Sequence, residues 1–226
     1  MLRYFTVNTV AELVCLVIAL ICLSKNQDKI WRSFIVFMFI TVFTEMAGIH
    51  IKKVYHQPNA WLYNLLLLVQ GFFYVRMFDH LLYSNRRSPV ITFPAGLLCL
   101  LFVYECVSNT FFGATPNHKY YYYSTTNSVF AVVVVFYSLY YLYLILKADN
   151  YVTLSKSASF WWVAGALFFY FGSTTCNIFY SKLENIKIAP NRNVTYYIYN
   201  LLNIFLYSCW SYAFICKRWL DPNSKN

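Results

Sequence analysis

In 226 residues the chain holds 60% hydrophobic and 22% aromatic side chains but only 12% charged ones, about half the charged share of a typical soluble domain. Its 18 Lys and Arg against 8 Asp and Glu give a net charge of +10, yet the cations sit between apolar runs, where they fix topology and meet anionic headgroups rather than nucleic acid. Apolar stretches of spanning length recur along the whole chain, which leaves no room for a separate soluble domain and makes the lipid bilayer the expected surroundings.

The expected fold is all-α: a single domain, 1–226, forming a polytopic bundle of seven transmembrane helices at about 5–23, 31–51, 60–83, 89–107, 125–148, 157–180 and 196–216. The first is read as a retained helix rather than a cleaved signal, because Glu12 interrupts its apolar run and no small-x-small site follows. Asn8 and Glu12 lie four apart on one of its faces. Helix 2 carries Thr41, Thr44, Glu45 and Gly48 at helical spacing and stops at Lys52-Lys53.

Helix 3 keeps Asn64, Gln70, Arg76, Asp79 and His80 inside a run long enough to cross a bilayer. Helix 4 contains Pro94, a kink signal, and ends near Glu105. A loop of about 108–124 follows, with Pro116, His118, Lys119 and the run Tyr120–Tyr123, a composition that favours the headgroup region. Helix 5 has Asn127 near its start. Helix 6 carries Gly165 and Gly172 on one face, where small residues let another backbone approach. Its last third turns polar, ending in Asn177. A loop with Lys182, Glu184, Lys187, Pro190 and Arg192 leads to helix 7, where Tyr196, Asn200, Asn203, Tyr207 and Ser211 form a stripe.

The basic residues favour an outside N-terminus and inside C-terminus. The inside set is then Lys25, Lys29, Arg32, Arg86, Arg87, Lys147, Lys156, Lys217, Arg218 and Lys225; the outside set is Arg3, Lys52, Lys53, Lys119, Lys182, Lys187 and Arg192. The expected location is a bacterial inner (cytoplasmic) membrane. With that orientation Glu12, Glu45, Asn64, Glu105, Asn127, Asn177, Asn200 and Asn203 all fall in the outer half. The inner half is nearly apolar except for Arg76, Asp79 and His80. Such one-sidedness points to a polar cavity open to the outside and floored by apolar and aromatic packing.

Glu12 and Glu45 have no cation at their depth, so they share a proton, stay protonated or are bathed in cavity water; the chemistry this suits is proton coupling or cation binding. A polar clamp between helices 1 and 2 is the alternative. Asn64, Asn200 and Asn203, with Gln70, Asn177 and Tyr207, offer amide and hydroxyl groups suited to a polar ligand, or to interhelical bonding. Arg76, Asp79 and His80 sit at i, i+3 and i+4 near the inner interface and read as a local ion pair, with a gate or protein-docking patch as the alternative. Asn193-Val194-Thr195 matches a glycosylation sequon, a weak pattern.

All seven cysteines lie in apolar runs with no CxxC, which points to packing rather than to metal binding. Helix 7 has no lysine for a retinal link, the four histidines are scattered, and no GxSxG, HExxH or phosphate-binding glycine loop occurs. No metal or cofactor is expected. The expected function is binding, and translocation, of a small polar solute or cation through the outer cavity. A receptor-like or accessory subunit acting with a partner protein is second, and a lipid-modifying enzyme using Glu12, Glu45 and Glu105 third. A second copy of the chain is a further candidate partner; nucleic acid is not.

Tyr63-Asn64-Leu65-Leu66 recurs as Tyr199-Asn200-Leu201-Leu202, and Ser33-Phe34 as Ser159-Phe160. The recurrence suggests two parallel three-helix repeats joined by helix 4. This 3+1+3 plan resembles SWEET-type sugar transporters, and the resemblance implies ligand contacts for Asn64 and Asn200; the family's Pro-Gln signature is absent. In texture (TVFTEMAG, WLYN, FYFGS, IYNLLN) the chain looks like a group of small seven-helix membrane proteins of Bacteroidota-type bacteria, a resemblance that supplies no function.

Overall fold

The computed structural model describes residues 6–82, 89–109, 122–147, 154–183, 186–189 and 192–220. Seven long helices account for most of them: α1 (Val7–Leu23), α2 (Lys29–His50), α3 (Ala60–Leu82), α4 (Pro89–Val107), α5 (Ser124–Lys147), α6 (Ala158–Ile178) and α7 (Val194–Ile215). Each coincides with an apolar run of the sequence. The expected positions Arg3, Arg86, Arg87, Pro116, His118, Lys119, Tyr120, Tyr121, Glu184, Pro190 and Lys225 lie outside the described residues.

Local chemistry sets the helix starts. Thr6 accepts from the Thr9 amide at 3.2 Å, Asp28 from Ile30 at 3.0 Å, and Ser157 from Phe160 at 3.3 Å. Each satisfies a backbone donor that the first turn leaves without an intrahelical acceptor. α2 runs on through a π-helical turn, Ile51–Tyr55, and the chain then reverses at His56, whose φ of 52° is left-handed. The stretch expected as a plain loop before α7 instead forms a small antiparallel ribbon, Lys187–Ala189 with Arg192–Asn193. Alternation within Ile186-Lys187-Ile188 suits such an extended pairing.

The helices follow one another around a ring in chain order. α1 packs on α2, α2 on α3, α3 on α5, α5 on α6 and α6 on α7, and α7 closes back onto α1. α4 lies outside the ring against α3 and α5, with Leu98 as its one buried apolar side chain among the described residues. A Cβ at Gly165 would stand 2.8 Å from Cys209 Cβ and 3.3 Å from the Leu206 carbonyl oxygen. The missing side chain is what lets α6 and α7 meet along their backbones. Gly165→Val should therefore cost about 1–3 kcal/mol by overpacking, read as a lowered midpoint of thermal or denaturant unfolding in detergent. An unchanged midpoint would show that this seam is loose.

The bundle is apolar outside as well as inside. Phe39, Phe43, Phe72, Leu100, Phe136, Leu146 and Leu201 are all more than half exposed. Three helical segments, Lys29–Tyr55, Ala60–Leu82 and Ser124–Lys147, are long and apolar enough to cross a membrane; Val7–Leu23 and Phe93–Val107 are shorter apolar helices. The core is a stack of rings. Phe34 lies within 4.5–6.4 Å, centroid to centroid, of Trp31, Phe37, Phe73, Trp162, Trp210 and Phe214. Tyr74 and Phe78 extend the stack toward α5 and α6 through Phe130, Tyr137 and Tyr170.

Candidate functional site: a cavity at one end of the ring

A cavity of about 560 Å³ opens among α1, α2, α3, α5, α6 and α7. Its walls come from the start of α1 (Asn8, Glu12), the second half of α2 (Thr41, Glu45), the start of α3 (Tyr63) and the start of α5 (Ser124, Asn127). The end of α6 (Ser173, Asn177) and the start of α7 (Tyr199, Asn203, Tyr207) complete them. All of these belong to the end of the bundle where α1 begins. Toward the middle the lining changes to Phe37, Leu66, Tyr74, Phe169, Tyr170, Leu206 and Trp210, which rest on the aromatic core below. Polar walls over an aromatic floor follow from where the sequence places its few polar residues.

Tyrosines fasten the walls. Tyr207 on α7 donates its hydroxyl to Glu12 Oε1 at 3.2 Å, Tyr63 on α3 to Glu45 Oε2 at 2.9 Å, and Tyr199 on α7 to Asn177 Oδ1 at 2.7 Å. Asn203 Nδ2 donates to the Tyr199 carbonyl at 3.0 Å. The tyrosines of the recurring Tyr-Asn-Leu-Leu thus do one job twice, each reaching back to a polar side chain on the preceding long helix. Gly48 makes room for the first of them, since a Cβ there would stand 2.9 Å from the Tyr63 hydroxyl.

Glu12 is 6% exposed, and its Oε2 has no hydrogen-bond partner among the described residues; neither has Asn8 Oδ1, one helical turn before it. The ion pairs among the described residues all involve Asp28, far from these carboxylates in the chain and at the other end of α2. No group of three or more metal-ligating side chains occurs among the described residues.

Six of the expected ligand residues, Glu12, Glu45, Gln70, Asn177, Asn203 and Tyr207, share this one cavity. Asn64 and Asn200 do not line it. Asn64 is buried on the seam between α3 and α5, where its Oδ1 accepts from the Tyr123 amide at 3.0 Å. On α7 the lining face runs through Tyr199, Asn203, Leu206, Tyr207 and Trp210, so Tyr199 takes the place expected for Asn200, one residue or about 100° away. Glu105 is also elsewhere. Its two oxygens accept from the Thr125 and Thr126 amides, each at 3.0 Å, and so cap the start of α5. Sequence reasoning overlooked Tyr63 and Tyr199 as wall donors, although their recurrence was the available signal.

No family model, curated protein or solved structure matches this chain.

At the opposite end the expected local pair among Arg76, Asp79 and His80 does not form. His80 Nε2 meets Asp28 Oδ2 at 3.1 Å, and Lys217 Nζ lies 3.9 Å from the same oxygen. Arg76 is exposed, and neither it nor Asp79 joins an ion pair among the described residues. The three residues do share a helix face, but the α1–α2 connection and the residues after α7 bring Asp28 and Lys217 to His80 from outside that helix. Burial alone would raise the Asp28 carboxyl; the hydrogen bond and charge of His80, the Ile30 amide and the Lys217 charge outweigh it and hold the group below its ordinary range. Arg218 Nη1 donates to the Ile21 carbonyl, and Trp161 Nε1 donates to the Ser155 carbonyl at 2.9 Å. Among the described residues these contacts tie α1, the α1–α2 connection, α3 and the end of α7 together at this end.

Proposed function

We propose that the protein is an integral membrane bundle of seven spanning helices, N-terminus outside and C-terminus inside, that binds a small polar solute or cation in the cavity and translocates it. The observation that carries this reading is the placement of Glu12 and Glu45 in one cavity of about 560 Å³ with no cation among the described lining residues. Buried carboxylates are expensive and, inside a bundle, mark ligand and ion paths. Glu12, Glu45, Gln70, Asn177, Asn203 and Tyr207 are the proposed ligand residues. A floor of stacked rings divides the cavity from the tied end, as expected of a carrier caught open to one side.

Purified protein in liposomes tests the proposal against a panel of sugars, amino acids, amines and inorganic cations. Concentration-dependent uptake of one class, saturable and absent from empty liposomes, is the expected result. Binding without uptake would replace translocation by the receptor-like reading, in which a separate partner protein takes the signal. Tags on the two termini of the protein in intact cells should be accessible from opposite sides; the same side for both would overturn the seven-span topology.

A further inference from the structure

We propose that the ligand of this cavity is a protonated primary or secondary amine on a small ring-bearing body, with its N–H groups shared between Glu12 and Asn8. The inference rests on the reading of the cavity as a binding site and names the chemical class it takes. Glu12 Oε2 and Asn8 Oδ1 are buried, adjacent on one face of α1, and without a hydrogen-bond partner among the described residues. Both are acceptors. A buried acceptor left unpaired is costly, so the missing group at this corner is a donor.

The surrounding walls do not supply it. The hydroxyl protons of Tyr207, Tyr63 and Tyr199 are already given to Glu12, Glu45 and Asn177, and no Lys, Arg or His lines the cavity among the described residues. A neutral polyol could donate a hydrogen bond but would leave the carboxylate charge uncompensated. A quaternary ammonium would supply charge but has no N–H for the two oxygens. A protonated amine supplies both in one group. The rings of Tyr74, Trp210 and Phe37 belong to the same lining, an aromatic surrounding that suits the body of an organic cation. Gln70 and Asn127, on the α3 and α5 side, carry amides able to receive a polar group at its far end.

Isothermal titration calorimetry of the full chain in detergent micelles tests this with three matched probes. They are tyramine, its N,N,N-trimethyl derivative, and tyrosol, in which a hydroxyl replaces the amine. Tyramine should bind at least about tenfold more tightly than either, a difference well within what one charged hydrogen-bonding group supplies. Glu12→Gln should erase that preference, while the wild-type comparison stands whether or not the variant folds. Equal binding of all three probes, or a preference unchanged in a folded Glu12→Gln, overturns the amine assignment. Binding of glucose or sodium ion in place of tyramine overturns it too but leaves the cavity as a binding site. Silence from every probe overturns both.

Discussion

Glu45→Gln should leave the bundle folded and reduce, with Glu12 still in place, the pH dependence of ligand binding or uptake, while Glu45→Ala should weaken the fold itself. Gln keeps the carbonyl oxygen that can accept from the Tyr63 hydroxyl, now at 2.9 Å from Glu45 Oε2, but cannot ionise. Ala removes the acceptor and strands a half-buried hydroxyl, a loss of about 1–3 kcal/mol. Removing the charge should also weaken cation binding at least about tenfold, the equivalent of ~1.4 kcal/mol. Calorimetric titrations at several pH values and unfolding midpoints of both variants separate chemistry from structure. Should the Gln variant bind like the wild type at every pH, Glu45 is an interhelical clamp and the coupling role is lost.

The largest effect on stability should come from Phe34→Ala. Phe34 is 0% exposed and touches rings from α2, α3, α6 and α7, with Phe73 at 4.5 Å and Phe214 at 5.1 Å. Truncation leaves a ring-sized void that neighbours as rigid as Trp162 and Trp210 cannot fill by small rotations. The expected cost is about 3–5 kcal/mol. Within a bilayer this loss is one of dispersion contacts, because lipid tails reward burial of an apolar ring far less than water does. Unfolding in mixed micelles of detergent and denaturant measures it. A loss below about 1 kcal/mol would mean that the stack relaxes, contrary to close packing. Phe39, exposed on the same helix, supplies the control: Phe39→Ala should shift the midpoint little.

Composition and pattern determined much on their own. Apolar runs bounded by Lys, Arg and Asn place all seven long helices, since length and hydropathy are local properties of the chain. The polar residues could be sorted by depth from helix direction alone, which is why the polar walls and aromatic floor of the cavity were legible in advance. Glu12 and Glu45 stood out because a carboxylate within such runs has few cheap alternatives.

Rotation about each helix axis and the choice of neighbours were decided only by the tertiary structure. A stripe at three- and four-residue spacing defines a face to within about one residue, so Asn200 and Tyr199 competed for the same place, and packing against α6 chose Tyr199. Asn64 and Glu105 have the composition of ligand groups, yet proximity of the α5 start turned both to backbone amides there. At the other end His80 passed over Arg76 and Asp79 for Asp28, distant in sequence but brought within 3.1 Å by the order of helices around the ring. Side-chain type limits what a polar group can do; the neighbours assembled around it by the fold select which of those bonds is made.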